Sequence, residues 1–471
     1  MDNNTAKINF KDLVSFTEKH SLVLALVFFV LGIIITAWAQ SLGTFISGAI
    51  EFLISFYGYF VPFILYFLLT PALIGIIELA KEYGNGWLFS VLKQFIVART
   101  LAVIFVISIL SIIFDLPFYL NGSATFGGAL AETVNQLIHA LVFSTFLYGV
   151  YAAIITIFIA RKFAWVKSFF NKVGNGIEYA GESLVVLTPL FMFAIGSFLY
   201  HLPFYLEMSM GEGFQLGGQD IFSLLNLNVP GINFVSAQLA GIQSAFAYSN
   251  LNISGVGLFS KQFVFIKLYF FIGLMTGLLC LIWHGLYVMY TRMVNKKFNV
   301  RYYINNYWLK IYPLLWSSSS ESLAVPLSLS LMKKKFPEVP SGIRQFVIAG
   351  GSYLGINGTI ISVYVMGVIL AVILGVQISF LQLLFSLPVI FILGYAVPGI
   401  PGELIIFAGS MGVLLGIPEN ILPLFLALYL TLQIGLPDSF RTGCNSTDSA
   451  LVAIISSSQL EFHQKQKRIG G

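Results

Sequence analysis

The sequence predicts an all-α polytopic membrane protein with eight spanning helices and two re-entrant hairpins of opposite orientation. Three observations carry that expectation. Of the 471 residues, 58% are hydrophobic and only 10% charged, with a mean hydropathy of +0.88, which suits a bilayer rather than water. Lysine and arginine fall in short clusters between apolar runs, so the net charge of +5 reports membrane sidedness rather than a nucleic-acid surface. Finally, the apolar segments of the C-terminal half are interrupted by polar, glycine and proline stretches that a simple spanning helix does not need.

A cytoplasmic N-terminus, 1–20, precedes a first apolar run at 22–39. Ala37-Trp38-Ala39 imitates a leader-cleavage site, but Asp12 and Glu18 among the preceding lysines, together with the length of the run, predict a retained helix. Further spans are expected near 53–80, 86–115, 136–160, 182–203 and 263–290, completing a six-helix section over 21–304. Lys7, Lys11 and Lys19, then Lys81 and Lys93, then Arg161, Lys162, Lys167 and Lys172, then Arg292, Lys296, Lys297, Arg301 and Lys310 mark the cytoplasmic side. The loops near 40–52 and 116–135 lack Lys and Arg. The 204–262 loop carries Glu207, Glu212 and Asp220 against Lys261, so these three connections lie outside. Lys465, Lys467 and Arg468 return the tail, 460–471, to the cytoplasm, which implies a plasma membrane protein, in a bacterium an inner-membrane one. Cys280 and Cys444, in apolar segments without ligand or framework spacing, are expected as free thiols.

The second half holds more apolar segments than its crossings can use. Segment 305–344 begins and ends beside basic clusters, so it enters and leaves on the cytoplasmic side as a hairpin. Its centre runs Trp316, four serines, Glu321 and on to Pro326; serines before a proline satisfy backbone groups freed at a broken tip. A serine loop outside the membrane is the alternative. Segment 345–378 crosses outward and is interrupted by Gly355-Ile356-Asn357-Gly358-Thr359, either to expose carbonyls for a cation or substrate or as a packing notch. Segment 379–417, broken around Pro398-Gly399-Ile400-Pro401-Gly402-Glu403 and lacking basic flanks, is a second hairpin, from outside. A final helix, 418–459, runs inward.

That last helix carries Asp438, Arg441, Thr442, Asn445, Asp448 and Ser449, all on one face at about 100° per residue. A charge at bilayer depth costs at least about 2.5 to 3.5 kcal/mol, so such groups pair or line a water-filled cavity. A ligand site is the first reading and an internal Asp–Arg staple the second. Two hairpin-plus-broken-helix units of opposite orientation follow the inverted-repeat logic of secondary transporters, whose substrates bind near the midplane where discontinuous helices meet.

At these residues the chain resembles the dicarboxylate/amino acid:cation symporter family, which includes the glutamate transporters. The resemblance rests on the serine tip at 317–320, the Gly-Asn-Gly-Thr pattern at 355–359, Gly399-Ile400-Pro401-Gly402, and Asp438-x-x-Arg441-Thr442-x-x-Asn445. It covers about the last 170 residues. Weaker support comes from Leu68-Leu69-Thr70-Pro71 and Thr188-Pro189. It implies an elevator-type symporter, a homotrimer with a scaffold of helices 1, 2, 4 and 5, and a moving transport domain of helices 3, 6, 7, 8 and both hairpins. It also implies roles. Asp438 matches the aspartate that holds a substrate ammonium, and Arg441 matches the arginine that takes a side-chain carboxylate. Thr442, Asn445 and Thr359 match polar positions of the site. Ser318, Ser319 and Ser320 match the first hairpin's contribution, and Gly399 and Gly402 the second hairpin's gate. The side-chain chemistry agrees, because a guanidinium grips a carboxylate bidentately and an aspartate one turn away supplies the opposite charge.

The departures from the family pattern fall on the cation sites. Gly355 stands where sodium-coupled members carry asparagine, Asn357 where they carry aspartate, and Ser449 where the final helix carries another, with Asp448 one residue earlier. A cystine-transporting branch looks similar here. Glu321, Glu403 and Asp448 are carboxylates outside the pattern that can carry a proton or pair locally. The expected coupling ion is therefore H+, Na+ or both, with Gly355, Asn357, Asn445, Asp448, Ser449, Glu321 and Glu403 as candidates and Asp448 foremost for the proton. The expected substrate is an acidic amino acid such as glutamate or aspartate, or a dicarboxylate, with cystine or a neutral amino acid as the alternative. No cofactor, nucleic-acid partner or enzymatic activity is expected. His20, His139, His201, His284 and His463 are scattered, His284 reads as a packing residue, and neither H-E-x-x-H nor G-x-S-x-G occurs. An intramembrane hydrolase and a passive channel remain the readings of other classes.

Overall fold

The computed structural model describes residues 10–83, 86–118, 134, 138, 145–210, 258–394, 399 and 402–469. His139, Glu212, Asp220, Pro398, Ile400 and Pro401, to which the sequence reading assigned sides or roles, lie outside these. Among the described residues every regular element is helical. The first half runs α1 (Phe10–Lys19), α2 (Ser21–Trp38), α3 (Gln40–Tyr83), α4 (Gly86–Ile113), α5 (Thr145–Lys162), α6 (Ala164–Ala180), a 3-10 segment (Gly181–Leu187), α7 (Thr188–Met210) and α8 (Leu258–Val294). The second runs α9 (Val300–Tyr303), a π-helical turn (Ile304–Trp308), α10 (Leu309–Ser318), α11 (Glu321–Lys335), α12 (Ser341–Leu354), α13 (Asn357–Ile373), α14 (Phe380–Phe385), α15 (Leu387–Leu393), α16 (Ile405–Leu414), α17 (Leu422–Leu432) and α18 (Leu436–Ile469).

Two stretches read as connections are helical. The 40–52 stretch contains no proline, and α3 runs 44 residues through it and on past Pro62 and Pro71. The basic 161–172 connection is largely the amphipathic α6, whose Val166 and Phe170 pack with Ile74 of α3 while Lys167 pairs with Glu78. Burying one apolar stripe outweighs the loop-like charge of this segment.

The final helix, expected as one piece, is two. Between α17 and α18 Gly435 takes φ +80°, and Tyr269 of α8 staples the gap: its hydroxyl accepts Leu436 N–H at 2.9 Å and donates to Ile434 O at 3.0 Å. A Cβ at residue 435 would lie 2.2 Å from that hydroxyl oxygen. The break places Asp438 in the first turn of α18, where unpaired backbone N–H groups favour a carboxylate.

The packing falls into two groups. α2 lies along α7 and α3 along α5, while α8, α12 and α13 pack on α18. α3 also crosses α12 closely: a Cβ on Gly75 would come within 3.0 Å of Gly342 Cα. On α2, Val23 and Leu26 are exposed, as lipid- or subunit-facing side chains are. Around α13 and the middle of α18 nearly every side chain is buried, so the polar residues there sit inside protein.

Candidate functional site

The first hairpin's tip is built by its serines. α10 ends with Ser319 in the left-handed region, φ +47°, its N–H bonded to Leu315 O at 3.0 Å. Ser320 is extended and its hydroxyl caps α11 by accepting Leu323 N–H at 3.3 Å; the Ser318 hydroxyl accepts Ser320 N–H at 3.3 Å. The Ser319 and Ser439 hydroxyls lie 3.1 Å apart. α11 thus opens with two N–H groups in need of acceptors. Glu321 and Ser322 donate them to the carbonyl of Gly399, at 3.1 and 3.3 Å. The tips of the two hairpins are therefore in contact.

Carboxylates seal the second tip. Gly399 and Gly402 take φ of +68° and +76°, conformations glycine adopts without strain. Gly399 N–H donates to Glu403 Oε2 at 2.7 Å and Gly402 N–H to Asp438 Oδ2 at 2.9 Å.

Arg441 joins these parts. Its side chain is 0% exposed and donates through Nε and Nη2 to Asp438 Oδ1, through Nη1 to Glu403 Oε1, and to Thr359 Oγ1 at 3.3 Å. Glu321 Oε1 lies 3.9 Å from Nη1 and accepts Asn445 Nδ2–H at 2.7 Å; Glu321 Oε2 is buried with no hydrogen-bond partner among the described residues. The Thr359 hydroxyl is 3.1 Å from Glu403 Oε1 and accepts from Asn445 Nδ2 at 2.8 Å. One guanidinium thus faces three carboxylates inside protein. Thr442 spends its hydroxyl on Asp438 O at 2.8 Å, within its own helix.

Asn445 caps a helix other than its own. Its Oδ1 accepts the N–H groups of Gly358 and Thr359, at 2.7 and 3.2 Å, which are otherwise unpaired at the start of α13. Gly358 makes this approach possible, because a Cβ there would lie 2.3 Å from Arg441 O and 2.8 Å from Cys444 Cβ. Gly358→Ala is expected to destabilise the protein by about 1 to 3 kcal/mol, since backbone cannot yield as a side-chain tip can. A melting temperature equal to that of the parent would contradict this.

The residues expected at cation sites are otherwise engaged. Ser449 fits a glycine notch, with its hydroxyl oxygen 2.5 Å from a Cβ built on Gly355 and 2.3 Å from one on Gly351, and it donates to Asn445 O at 3.1 Å. Asn357 turns its amide N–H to Asp448 Oδ2 at 2.8 Å. Asp448 faces α8 rather than Arg441: Oδ2 also accepts Trp283 Nε1–H at 2.8 Å, and Oδ1 accepts His284 Nδ1–H at 2.7 Å. His284 Nε2 lies 3.3 Å from the Tyr303 hydroxyl, which reaches Thr447 O at 3.2 Å.

Sequence reasoning passed over three partners. His284 reads as a satisfied packing residue, and it is buried and bonded, but the carboxylate that satisfies it stands 164 positions away. Ser439 carries no motif. Arg99, in the middle of α4 and 1% exposed, carried an available signal, since an arginine within an apolar span demands a partner.

The family model described as the sodium:dicarboxylate symporter family matches residues 246–459, a span that contains both hairpins, α12, α13 and the Arg441 cluster. No curated protein matches the chain.

Proposed function

We propose that this chain, a member of the sodium:dicarboxylate symporter family, is a proton-coupled symporter for an acidic amino acid or a dicarboxylate. The observation that carries the reading is the Arg441–Glu403 pair at the junction of the two hairpin tips. A guanidinium held by a carboxylate from a hairpin tip is a binding site whose own chain stands in for the ligand. A substrate carboxylate can take over the same fork of donors. Once released, Glu403 is left in a dehydrated space beside Asp438, where a proton removes the charge it can no longer pair. The same need applies to Glu321, because an anion entering a pocket of three carboxylates and one guanidinium requires positive charge to accompany it. Glu321 Oε2, unpartnered among the described residues, is a ready acceptor for an ammonium group, which supports an amino acid over a plain dicarboxylate.

Sodium fits the residues poorly. Asn445 Oδ1 and both Asp448 oxygens already accept protein N–H groups, and Gly355 brings no side chain.

In this reading the group formed by α4, α8, the hairpins, α12, α13 and α18 moves against α2, α3, α5 and α7, with the Gly75–Gly342 crossing on the boundary. A homotrimer with both termini cytoplasmic completes the proposal, supported by the charge pattern of the loops and the exposed apolar face of α2.

Proteoliposomes containing the purified protein provide the test, with L-glutamate, L-aspartate, succinate and L-cystine as probes. An inward proton gradient in sodium-free buffer is expected to drive accumulation of at least one of the amino acids, and Glu403→Gln to abolish the pH dependence of its uptake. Accumulation that appears only on adding sodium would refute proton coupling. Chemical conversion of a probe, or flux without counterflow, would instead favour the hydrolase or the channel.

A further inference from the structure

The side chains of α6 sort into three stripes at about 100° per residue. The first lies on α3, with Val166 and Phe170 buried and Val173 and Ile177 partly so. There the Phe170 ring meets those of Tyr66 and Phe67 at 5.3 and 6.0 Å, and a Cβ on Gly174 would come within 3.0 Å of the Pro71 ring. Ser168, Asn171 and Asn175 form a second, polar stripe. Between the two run Trp165 and Phe169, 71% and 47% exposed, with the exposed Lys172 and Tyr179 on the border toward the polar side. The helix thus has a face for protein, a face for water and an aromatic face that neither covers. Its depth is fixed by the chain before it. α5 exposes Ile155 and Phe158 as a lipid-facing helix does and ends in Arg161 and Lys162, the basic pair that marks the cytoplasmic headgroup level. One residue, Phe163, separates the two helices, so the first turn of α6 is held at that level.

We infer that α6 is an interfacial helix whose Trp165 and Phe169 stripe sits in the cytoplasmic leaflet of the bilayer and whose basic side chains favour anionic headgroups there. Tryptophan and tyrosine rings gather at headgroup level, and a lysine on the border can lay its stem along the acyl chains while its ammonium reaches a phosphate. Charge selects the lipid. Arg161, Lys162, Lys167 and Lys172 stand against Glu178 and against Glu78, the partner of Lys167, so the surplus at this face is positive and draws anionic lipid. The protein side of α6 also packs on α11, the second arm of the first hairpin. The wall that α6 gives that hairpin is thereby anchored to the membrane surface.

The test is site-directed fluorescence on the full-length protein in lipid nanodiscs, and it needs no substrate. An environment-sensitive fluorophore is attached to Phe169→Cys and, on the polar stripe, to Asn175→Cys; Cys280 and Cys444 are buried, and labelled wild type gives their background. The Phe169 label is expected to emit to the blue of the Asn175 label. Lipids with a nitroxide at the headgroup end of the acyl chain should quench it more than lipids with the nitroxide near the terminal methyl, while the Asn175 label answers to a water-soluble quencher instead. At equal nitroxide content, labelled phosphatidylglycerol in unlabelled phosphatidylcholine is expected to quench the Phe169 label at least about twofold more than the reverse mixture, and Lys172→Gln to reduce that ratio. Trp165→Cys repeats the measurement on the same stripe if the Phe169 variant does not fold. A label on this stripe that is quenched from water, or one shifted to the blue that no lipid nitroxide reaches because a second copy or another part of the chain covers it, would overturn the interfacial placement. Equal quenching by the two lipid mixtures would overturn the choice of anionic lipid.

Discussion

Arg441→Ala is expected to lower affinity for acidic amino acids by about a hundredfold or more, because the charge-assisted fork to a substrate carboxylate is worth about 3 kcal/mol. The change also removes the guanidinium that faces Asp438, Glu403 and Glu321. Breaking a buried ion pair from one side costs about 3 to 5 kcal/mol, so the variant should also melt earlier. Stability and affinity separate in Arg441→Lys, which restores a charge without the bidentate geometry: it should recover more stability than affinity. Asp438→Ala acts differently. It frees Gly402 N–H and releases Arg441 Nε, so loss of all amino-acid binding is expected rather than loss of the acidic ones alone. Isothermal titration of the purified variants with L-glutamate and L-aspartate measures this, and unchanged affinity in Arg441→Ala would remove Arg441 from the site.

The parts of this architecture that were legible in the sequence are those where local chemistry restricts the backbone. The serine run ahead of Pro326 and the glycines at 399 and 402 disfavour one continuous helix, and the described backbone turns left-handed at Ser319, Gly399 and Gly402. The positions of Asp438 and Arg441 one turn apart likewise required a shared burial. What stayed hidden were choices made by neighbours distant in sequence. A helical wheel puts Asp448 on the same face as Arg441, yet its carboxylate turns to Trp283 and His284 because α8 supplies donors on that side. The gap at 433–435 is stapled by Tyr269, more than 160 residues earlier, although Gly435 and Pro437 mark the spot locally. Glu321 and Glu403 were conspicuous as extra carboxylates, but only the meeting of the two hairpins brings both to one guanidinium.

Asp448→Ala is expected to be the most destabilising single change outside the Arg441 cluster. The aspartate accepts from Trp283 Nε1, His284 Nδ1 and Asn357 Nδ2, each at 2.7 or 2.8 Å, inside a region closed to water. Truncation strands three buried donors, and each stranded group costs about 1 to 3 kcal/mol. A total near 4 kcal/mol follows even if relaxation recovers part of it. Asp448→Asn should fare far better. Its remaining oxygen can accept from Trp283 and Asn357, while its amide points at His284, which can switch tautomer to accept at Nδ1 and donate from Nε2 to the Tyr303 hydroxyl. The contrast between the two variants is therefore a test of whether hydrogen bonding, rather than charge, holds this junction. A double-mutant cycle with His284→Ala sharpens it, since the histidine's share of the loss should disappear once its partner is gone. If Asp448→Asn melts as early as Asp448→Ala, the negative charge itself is needed there, and the ionised aspartate would return as a candidate for the coupling proton ahead of Glu403.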